Sequence, residues 1–223
     1  MRLNRVIIVG ILFAVLSLGT AYAGLFDAVT SIAGGGSSGG DDLDTFLVRA
    51  KTAEELINNS TKSMFKAIAS DKEQAQLEAK QKKLNETTDP KEKEALQREL
   101  TESQLAVIKK EAGNEELQKE ASKWSDKKKE HVANAFFNYA LGALQAGLIV
   151  KDGKALVTNP ANAVKAATKL GEVKDAIASL GGIASGSVTM ISSLKTFMSA
   201  ANISATIPKT ATDKPKPQAD VDD

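Results

Sequence analysis

The sequence predicts an all-α protein, and its composition and the spacing of its apolar residues carry the prediction. Alanine, lysine, glutamate, leucine and serine dominate the chain, whereas aromatic residues make up 4% of it. This balance suits helices and does not suit a β-sandwich. Apolar and small residues also recur at helical spacing after residue 41. We therefore expect an elongated helical bundle or coiled-coil hairpin of about four helices.

The first element, residues 1–23, has the three regions of a secretory signal peptide. Arg2 and Arg5 supply positive charge, residues 6–18 form an uncharged apolar stretch, and residues 21–23 read Ala-Tyr-Ala, an A-x-A cleavage site. The alternative is an uncleaved anchor, because the uncharged run continues past this site and could span a bilayer. We expect cleavage, and a periplasmic or secreted protein of a bacterial cell envelope.

The next element, residues 24–40, combines an amphipathic stretch with a glycine-serine linker. Residues 24–33 read GLFDAVTSIA, which resembles the membrane-active N-termini of amphibian antimicrobial peptides and viral fusion peptides. The alternative is a short helix that docks on the bundle. Residues 34–40 read GGGSSGG and contain the spacing G-x-G-x-x-G, but no strand precedes them and no βαβ pattern follows. A flexible linker is therefore expected, and not a nucleotide loop.

The helical domain, residues 41–206, begins with one long helix after Asp41 and Asp42, whose charges favour a helix N-terminus. Apolar and small positions follow in alternating steps of three and four, a seam for a partner helix. A helix over residues 42–86 would be roughly 65 Å long, so we expect a rod. The seam consists of Leu43, Phe46, Ala50, Ala53, Ile57, Ser60, Met64 and Ala67.

Residues 71–131 form the charged part of this domain and are expected to fold as a solvated hairpin. Two pairs of opposite charge stand at i,i+4, Glu78 with Lys82 and Glu94 with Arg98. The turn is predicted at residues 87–90, where Asp89 can cap the second helix and Pro90 fits its first position. Gly113-Asn114 predicts a second break.

The apolar part of the domain, residues 132–206, contains two uncharged segments, 132–150 and 177–194. We expect a loop at 151–159, with a short hairpin around Asp152-Gly153 as the alternative, and a final helix that begins at Pro160. Small residues recur at four-residue spacing, which lets helix backbones approach closely. The pairs are Gly142 with Ala146, Ala143 with Gly147, and Gly182 with Gly186.

Polar residues within these two segments lower their hydropathy, so we expect buried bundle helices, with conditional membrane insertion as the alternative. The arrangement resembles that of α-helical pore-forming toxins, in which long helices surround an apolar hairpin rich in small residues; the likeness is one of organisation, without a shared motif. The polar residues are Asn134, Asn138, Gln145, Ser185, Ser187, Thr189, Ser192 and Ser193.

Basic residues before the first apolar segment form a local cluster, Lys123, Lys127, Lys128 and Lys129, next to Trp124. Such a cluster is typical of a solvated helix face and, alternatively, of a membrane-interface anchor. The formal net charge of the chain is only +1. We therefore expect no nucleic-acid partner.

The residue types of most active sites are absent or rare. The chain has no cysteine, which excludes disulfides, thiolate nucleophiles and cysteine-based metal sites. His131 is its only histidine, so paired Glu-x-x-His metal motifs are excluded. The carboxylate pairs Asp41-Asp42, Glu54-Glu55 and Glu115-Glu116 are adjacent in sequence and face apart on a helix. We expect no catalytic, cofactor-binding or metal-binding residue and no enzyme.

The C-terminal segment, residues 207–223, is rich in proline and charge and is predicted to be a disordered tail. Taken together, the sequence predicts an exported, non-enzymatic helical protein that acts in structure or in protein–protein interaction. Its partner would be another protein or a second copy, bound through helix seams. A membrane-active protein that inserts an apolar hairpin is the alternative, with a membrane surface as its partner.

Overall fold

The computed structural model describes residues 43–158 and 167–218, and these residues form six α-helices and no strand. The prediction of an all-α protein is confirmed. The helices are α1 (Leu43–Ile68), α2 (Asp71–Glu86), α3 (Pro90–Ala112), α4 (Glu115–Ala121), α5 (Asp126–Thr158) and α6 (Ala167–Ala200).

Some predictions fall on residues outside this description. The signal peptide, the segment 24–40 with its glycine-serine linker, and the acidic pair Asp41-Asp42 precede α1. The predicted helix start at Pro160 lies between α5 and α6, and residues 219–223 follow the described chain.

Helix α1 buries the seam that its sequence predicts. The predicted positions from Leu43 to Met64 are buried, and only the last one, Ala67, is half-buried. Apolar residues at steps of three and four share one face of a helix, and here that face contacts α5. The seam therefore forms part of the main core.

The predicted rod over residues 42–86 is wrong, because the chain turns at Ser70 and continues as the separate helix α2. Ser70 and Glu73 form a capping box: the Ser70 N–H donates to Glu73 Oε2 at 3.0 Å, and the Glu73 N–H donates to Ser70 Oγ at 3.4 Å. This motif satisfies the free N–H groups of a new helix start. The second helix therefore starts independently of the first.

Helices α2 and α3 form the charged hairpin. Their turn is as predicted: the Asp89 side chain accepts a hydrogen bond from the Glu92 N–H at 2.8 Å, and Pro90 is the first residue of α3. Of the two predicted i,i+4 pairs, Glu94 and Arg98 are in contact at 3.5 Å, whereas Lys82 lies 3.9 Å from Glu86. The hairpin packs on α1 through α3.

The predicted break at Gly113-Asn114 is confirmed. Helix α3 ends at Ala112, and Asn114 caps the short helix α4 by accepting hydrogen bonds from the N–H groups of Glu116 and Leu117.

The predicted loop at 151–159, and the alternative hairpin, are wrong for residues 151–158, because α5 continues to Thr158. Gly153 is buried there: a Cβ atom on it would lie 2.6 Å from Phe46 Cε2 and 2.7 Å from Ile177 Cγ1. Its neighbour Asp152 accepts a hydrogen bond from Arg49 at 3.0 Å. Asp-Gly serves here as a site of close helix approach, and tertiary packing outweighs the turn preference of the dipeptide.

Helix α5 lies between α1 and α6 and runs antiparallel to both. Residues 125 positions apart pair α1 with α6 in the same direction: Lys169 contacts Asp44 at 2.7 Å, and the Ser179 hydroxyl donates to Glu54 at 2.7 Å. Helix α5 meets α6 where the hydroxyl groups of Tyr139 and Ser187 lie 3.1 Å apart. The core runs along these contacts.

Residues 207–218, here called the tail segment, have no regular secondary structure but lie against the bundle. Pro208 is buried, and Asp213 closes a turn by accepting hydrogen bonds from Lys209 and Thr210. The predicted disorder of residues 207–223 is therefore not confirmed for this segment. The physical reason is that polar side chains of α5 bind its main chain, a contact that its own composition does not reveal.

Candidate functional surfaces

The residues that an active site would use lie apart in the described chain. His131 is half-buried near the start of α5. Glu54 and Glu55 diverge: Glu54 accepts a hydrogen bond from Ser179 of α6, whereas Glu55 faces α3. Residues 43–158 and 167–218 contain no group of three or more histidine, cysteine, aspartate or glutamate residues that could hold a metal ion.

Two glutamates have shifted pKa values for structural reasons. Burial raises the pKa of Glu54, and the hydrogen bond from Ser179 opposes this only in part. Burial would also raise the pKa of Glu73, but hydrogen bonds from Lys110 and Ser70 outweigh it and lower the pKa. Each carboxyl joins two elements of the bundle, α1 to α6 in one case and α2 to α3 in the other.

A shallow polar depression of about 220 Å³ lies between α1, α2 and α3. Its lining is rich in side-chain amides, which can donate and accept hydrogen bonds but cannot act as a nucleophile or a general base at neutral pH. This depression therefore offers mainly hydrogen-bonding groups, with Glu55 and Lys62 as its charged members. The lining residues are Glu55, Asn58, Asn59, Lys62, Gln81, Gln97, Leu100 and Gln104.

The basic cluster before α5 packs locally. The Lys128 ammonium lies 4.5 Å from the centre of the Trp124 ring, and the Lys129 ammonium donates to the Ser122 carbonyl at 2.7 Å. The Trp124 ring centre lies 6.2 Å from that of Phe197 on α6. Trp124 thus joins the connection between α4 and α5 to α6, and two of the lysines make local contacts.

The exposed face of α6 is the first candidate interaction surface. Added Cβ atoms on Gly182 or Gly186 would meet nothing within 4 Å, and the Val188 side chain is 73% exposed. Its exposed positions follow helical spacing and are mostly glycine, serine and threonine. We call this surface the α6 face: Gly182, Ser185, Gly186, Val188, Thr189 and Ser192.

The second candidate surface lies where α5 binds the tail segment. Asn138 makes two hydrogen bonds to the main chain of Lys216, donating to its carbonyl at 2.8 Å and accepting from its N–H at 2.7 Å. Gln145 donates to the Ala211 carbonyl at 2.9 Å. The polar residues of α5 are thus recognition groups for another segment.

In the sequence, these polar residues indicated only that the hydropathy of α5 is lowered. Their spacing carried a further signal, since residues 134, 138 and 145 share one face of a helix. A polar stripe on an otherwise uncharged helix predicts a polar contact along that stripe. The sequence could not show that the tail segment makes this contact, because the composition of a proline-rich segment is also compatible with its remaining in solvent.

No family model, curated protein or solved structure matches the chain. Two helices, Asp126–Thr158 and Lys169–Ala200, are long and apolar enough to cross a membrane by length and composition. A core helix of a soluble protein meets the same criterion, and α5 is mostly buried.

Proposed function

We propose that this protein is an exported, non-enzymatic helical protein of the bacterial cell envelope that acts through protein–protein interaction, with a second copy bound at the α6 face. The observation that carries the proposal is the exposure of a helix whose composition suits burial. Only 22% of the apolar 18-residue stretch of α6 is buried. The signal-like sequence of residues 1–23 supports export.

Self-association fits the chemistry of the α6 face. Gly182 and Gly186 are four residues apart and leave a flat surface, so two such helices can approach closely and gain dispersion contacts along their backbones. The face carries no charged side chain between residues 177 and 194, so no like-charge repulsion opposes a symmetric contact. A symmetric contact of one surface with itself is the commonest form of homodimer.

Size-exclusion chromatography with light scattering tests this proposal. We expect the wild-type chain to be a dimer or larger at micromolar concentration and the Gly182→Gln/Gly186→Gln variant to be a monomer. Glutamine adds bulk without charge and favours helix over glycine, so the variant should fold at least as well as the wild type. A monomeric wild-type chain would contradict the proposal.

Gly147→Gln is the matched control, because Gly147 is also a helical glycine with nothing within 4 Å of an added Cβ, but it lies on α5. It should leave the oligomeric state of the wild type unchanged. Equal loss of association in both variants would argue against the α6 face as the contact.

Membrane insertion of the α5–α6 hairpin is the second candidate function, favoured by one observation. The two apolar helices are neighbours in space and antiparallel, as a hairpin that crosses a bilayer must be. Insertion should release dye from anionic lipid vesicles at micromolar protein. Absence of leakage would remove this candidate.

A charge on the α6 face distinguishes insertion from surface binding. Val188→Lys is tolerated in water because the side chain is exposed, but a lysine at the bilayer centre costs about 3 kcal/mol. It should therefore suppress leakage strongly. Val48→Lys is the control, since Val48 is an exposed residue of α1 that lies outside both apolar helices.

A further inference from the structure

A groove between α1 and α5 holds the tail segment, and it differs from the α6 face in position and chemistry. Its floor is a small apolar cluster of Leu56 from α1 with Phe137 and Leu141 from α5. Two buried polar residues flank this cluster, Ser60 on α1 and Asn138 on α5. Apolar floor and buried hydrogen-bonding groups together form a site that can hold a peptide.

The groove binds the main chain of the tail segment through hydrogen bonds. The Asn138 amide bonds both the N–H and the carbonyl of Lys216, so it fixes one residue of an extended segment from both sides. The Asn134 amide adds a hydrogen bond to the Pro217 carbonyl at 3.1 Å. Bonds of this kind depend on an extended backbone and are available to any chain that can adopt it.

Three side-chain features give the groove selectivity. The Lys216 ammonium lies 4.8 Å from the centre of the Phe137 ring, a cation–π contact. The residues on either side of Lys216 are prolines, which favour the extended conformation before binding. The Gln218 amide then donates to Ser60 Oγ at 3.3 Å. The tail segment thus presents a lysine between two prolines to the groove.

The tail segment has little buried surface, so a separate peptide can replace it in the groove. Pro208 is its only buried residue, and the rest of residues 207–218 are half-buried or exposed. The segment is joined to α6 by an irregular stretch in which Asn202 has a φ of 55°. Segments with few buried apolar contacts open at a small fraction of the free energy of global unfolding.

We propose that the α1–α5 groove is a binding site for extended peptides with the sequence character Pro-Lys-Pro, and that the tail segment occupies it in the absence of such a partner. The tail then acts as an intramolecular competitor. Its local concentration is on the order of millimolar, so a partner peptide binds the intact chain weakly until the tail is weakened or displaced.

Fluorescence anisotropy with a labelled synthetic peptide tests the proposal on the full chain. The peptide carries residues 207–218, and the protein is either wild type or Lys216→Pro, which removes the N–H that bonds Asn138. We expect the variant chain to bind the peptide about tenfold more tightly than the wild type, because its own tail competes less well. Lys214→Ala, at an exposed position of the same segment, should behave as the wild type.

Changes in the peptide keep the test independent of protein folding. Methylation of the main-chain nitrogen of Lys216 removes one hydrogen-bond donor and should weaken binding about tenfold. Methylation of the main-chain nitrogen of Lys214 should have little effect. In the Lys216→Pro chain, a further Asn138→Leu substitution should abolish the gain in affinity. A Lys216→Pro chain that does not bind the peptide at about 1 mM, or equal effects of the two methylations, would overturn the proposal.

Discussion

Helices α5 and α6 have almost the same length and are both uncharged over long stretches, but the bundle buries them to very different extents. They contain 33 and 34 residues. The apolar 18-residue stretch of α5 is 78% buried, and that of α6 is 22% buried. Hydropathy thus measures how readily a helix can be buried, and it does not determine whether the fold buries it.

The difference lies in side-chain size. Phe136, Tyr139 and Leu141 of α5 are almost fully buried, and each contributes a large apolar area to the core. In α6 the large residues Leu180, Leu194 and Phe197 face the bundle, while glycine, serine and threonine occupy the outer face. Small residues gain little from burial in a core, although they permit close contact between backbones.

The largest expected contrast is between a core truncation and a surface truncation. Phe136→Ala in α5 should destabilise the protein by about 3–5 kcal/mol, because it leaves a cavity in the core. In monomeric protein, Val188→Ala in α6 should change the free energy of unfolding by less than about 0.5 kcal/mol. Urea unfolding followed by circular dichroism measures both. A large effect of Val188→Ala in monomeric protein would show that α6 is covered.

Substitution of glycine by alanine should change the free energy of unfolding in opposite directions in the two helices. Gly153→Ala should destabilise by about 1–3 kcal/mol, because its Cβ would lie 2.6 Å from the Phe46 ring. In monomeric protein Gly182→Ala has free space and should stabilise by about 0.5–1 kcal/mol through helix propensity. The same unfolding experiment checks the signs. Destabilisation by Gly182→Ala would argue against an open α6 face.

The contact between the two helices can be probed at Tyr139 and Ser187. Tyr139→Phe should cost about 1 kcal/mol, since Ser187 keeps its hydrogen bond to the Ile183 carbonyl. Ser187→Ala should cost more, because it leaves the buried Tyr139 hydroxyl without this partner. Comparison of the two single variants with the double variant gives the coupling energy. Independent effects would mean that the two hydroxyl groups do not interact.

The smallest predicted effect is a pH dependence at Glu54, which joins α1 to α6. Because burial raises the pKa of Glu54, its charged form is less stable in the folded state than in the unfolded state. Glu54→Gln should therefore stabilise the protein at pH 7. Its advantage over the wild type should shrink as the pH falls through the raised pKa towards the ordinary value of 4.5.

Thermal unfolding of both proteins between pH 4 and pH 8 measures this difference. Glu55→Gln is the control, since the Glu55 side chain is 41% exposed and lies 4.0 Å from the Lys51 ammonium on the same helix. An advantage that grows as the pH falls would contradict the direction of the shift.

Local signals predicted the helix ends well where the responsible residues are close together in sequence. Asp89-Pro90 and Gly113-Asn114 act within one turn, so their effect can be deduced without the fold. The capping box at Ser70 and Glu73 was equally local, but the apolar seam before it and the charged stretch after it were interpreted as one long helix. The S-x-x-E spacing was the signal that could have corrected this.

Long-range contacts could not be predicted in the same way. Asp152-Gly153 has the composition of a turn, and only the proximity of Phe46 and Ile177 explains its place within α5. The tail segment is polar and proline-rich, and long-range contacts, chiefly those with Asn134, Asn138 and Gln145, explain its position on the bundle. The candidate surfaces depend on such contacts, so the sequence predicted their residue types and not their locations.

The parallel pairing of α1 with α6 has a consequence for folding kinetics. Its contacts join residues 125 positions apart, such as Asp44 with Lys169 and Glu54 with Ser179. Contacts of high sequence separation form late, because a long loop must close before they stabilise anything. During synthesis from the N-terminus, α1 therefore lacks its α6 neighbour until most of the chain has been made. Such a delay would favour the proposed export, because an incompletely folded chain can still be threaded through a narrow channel.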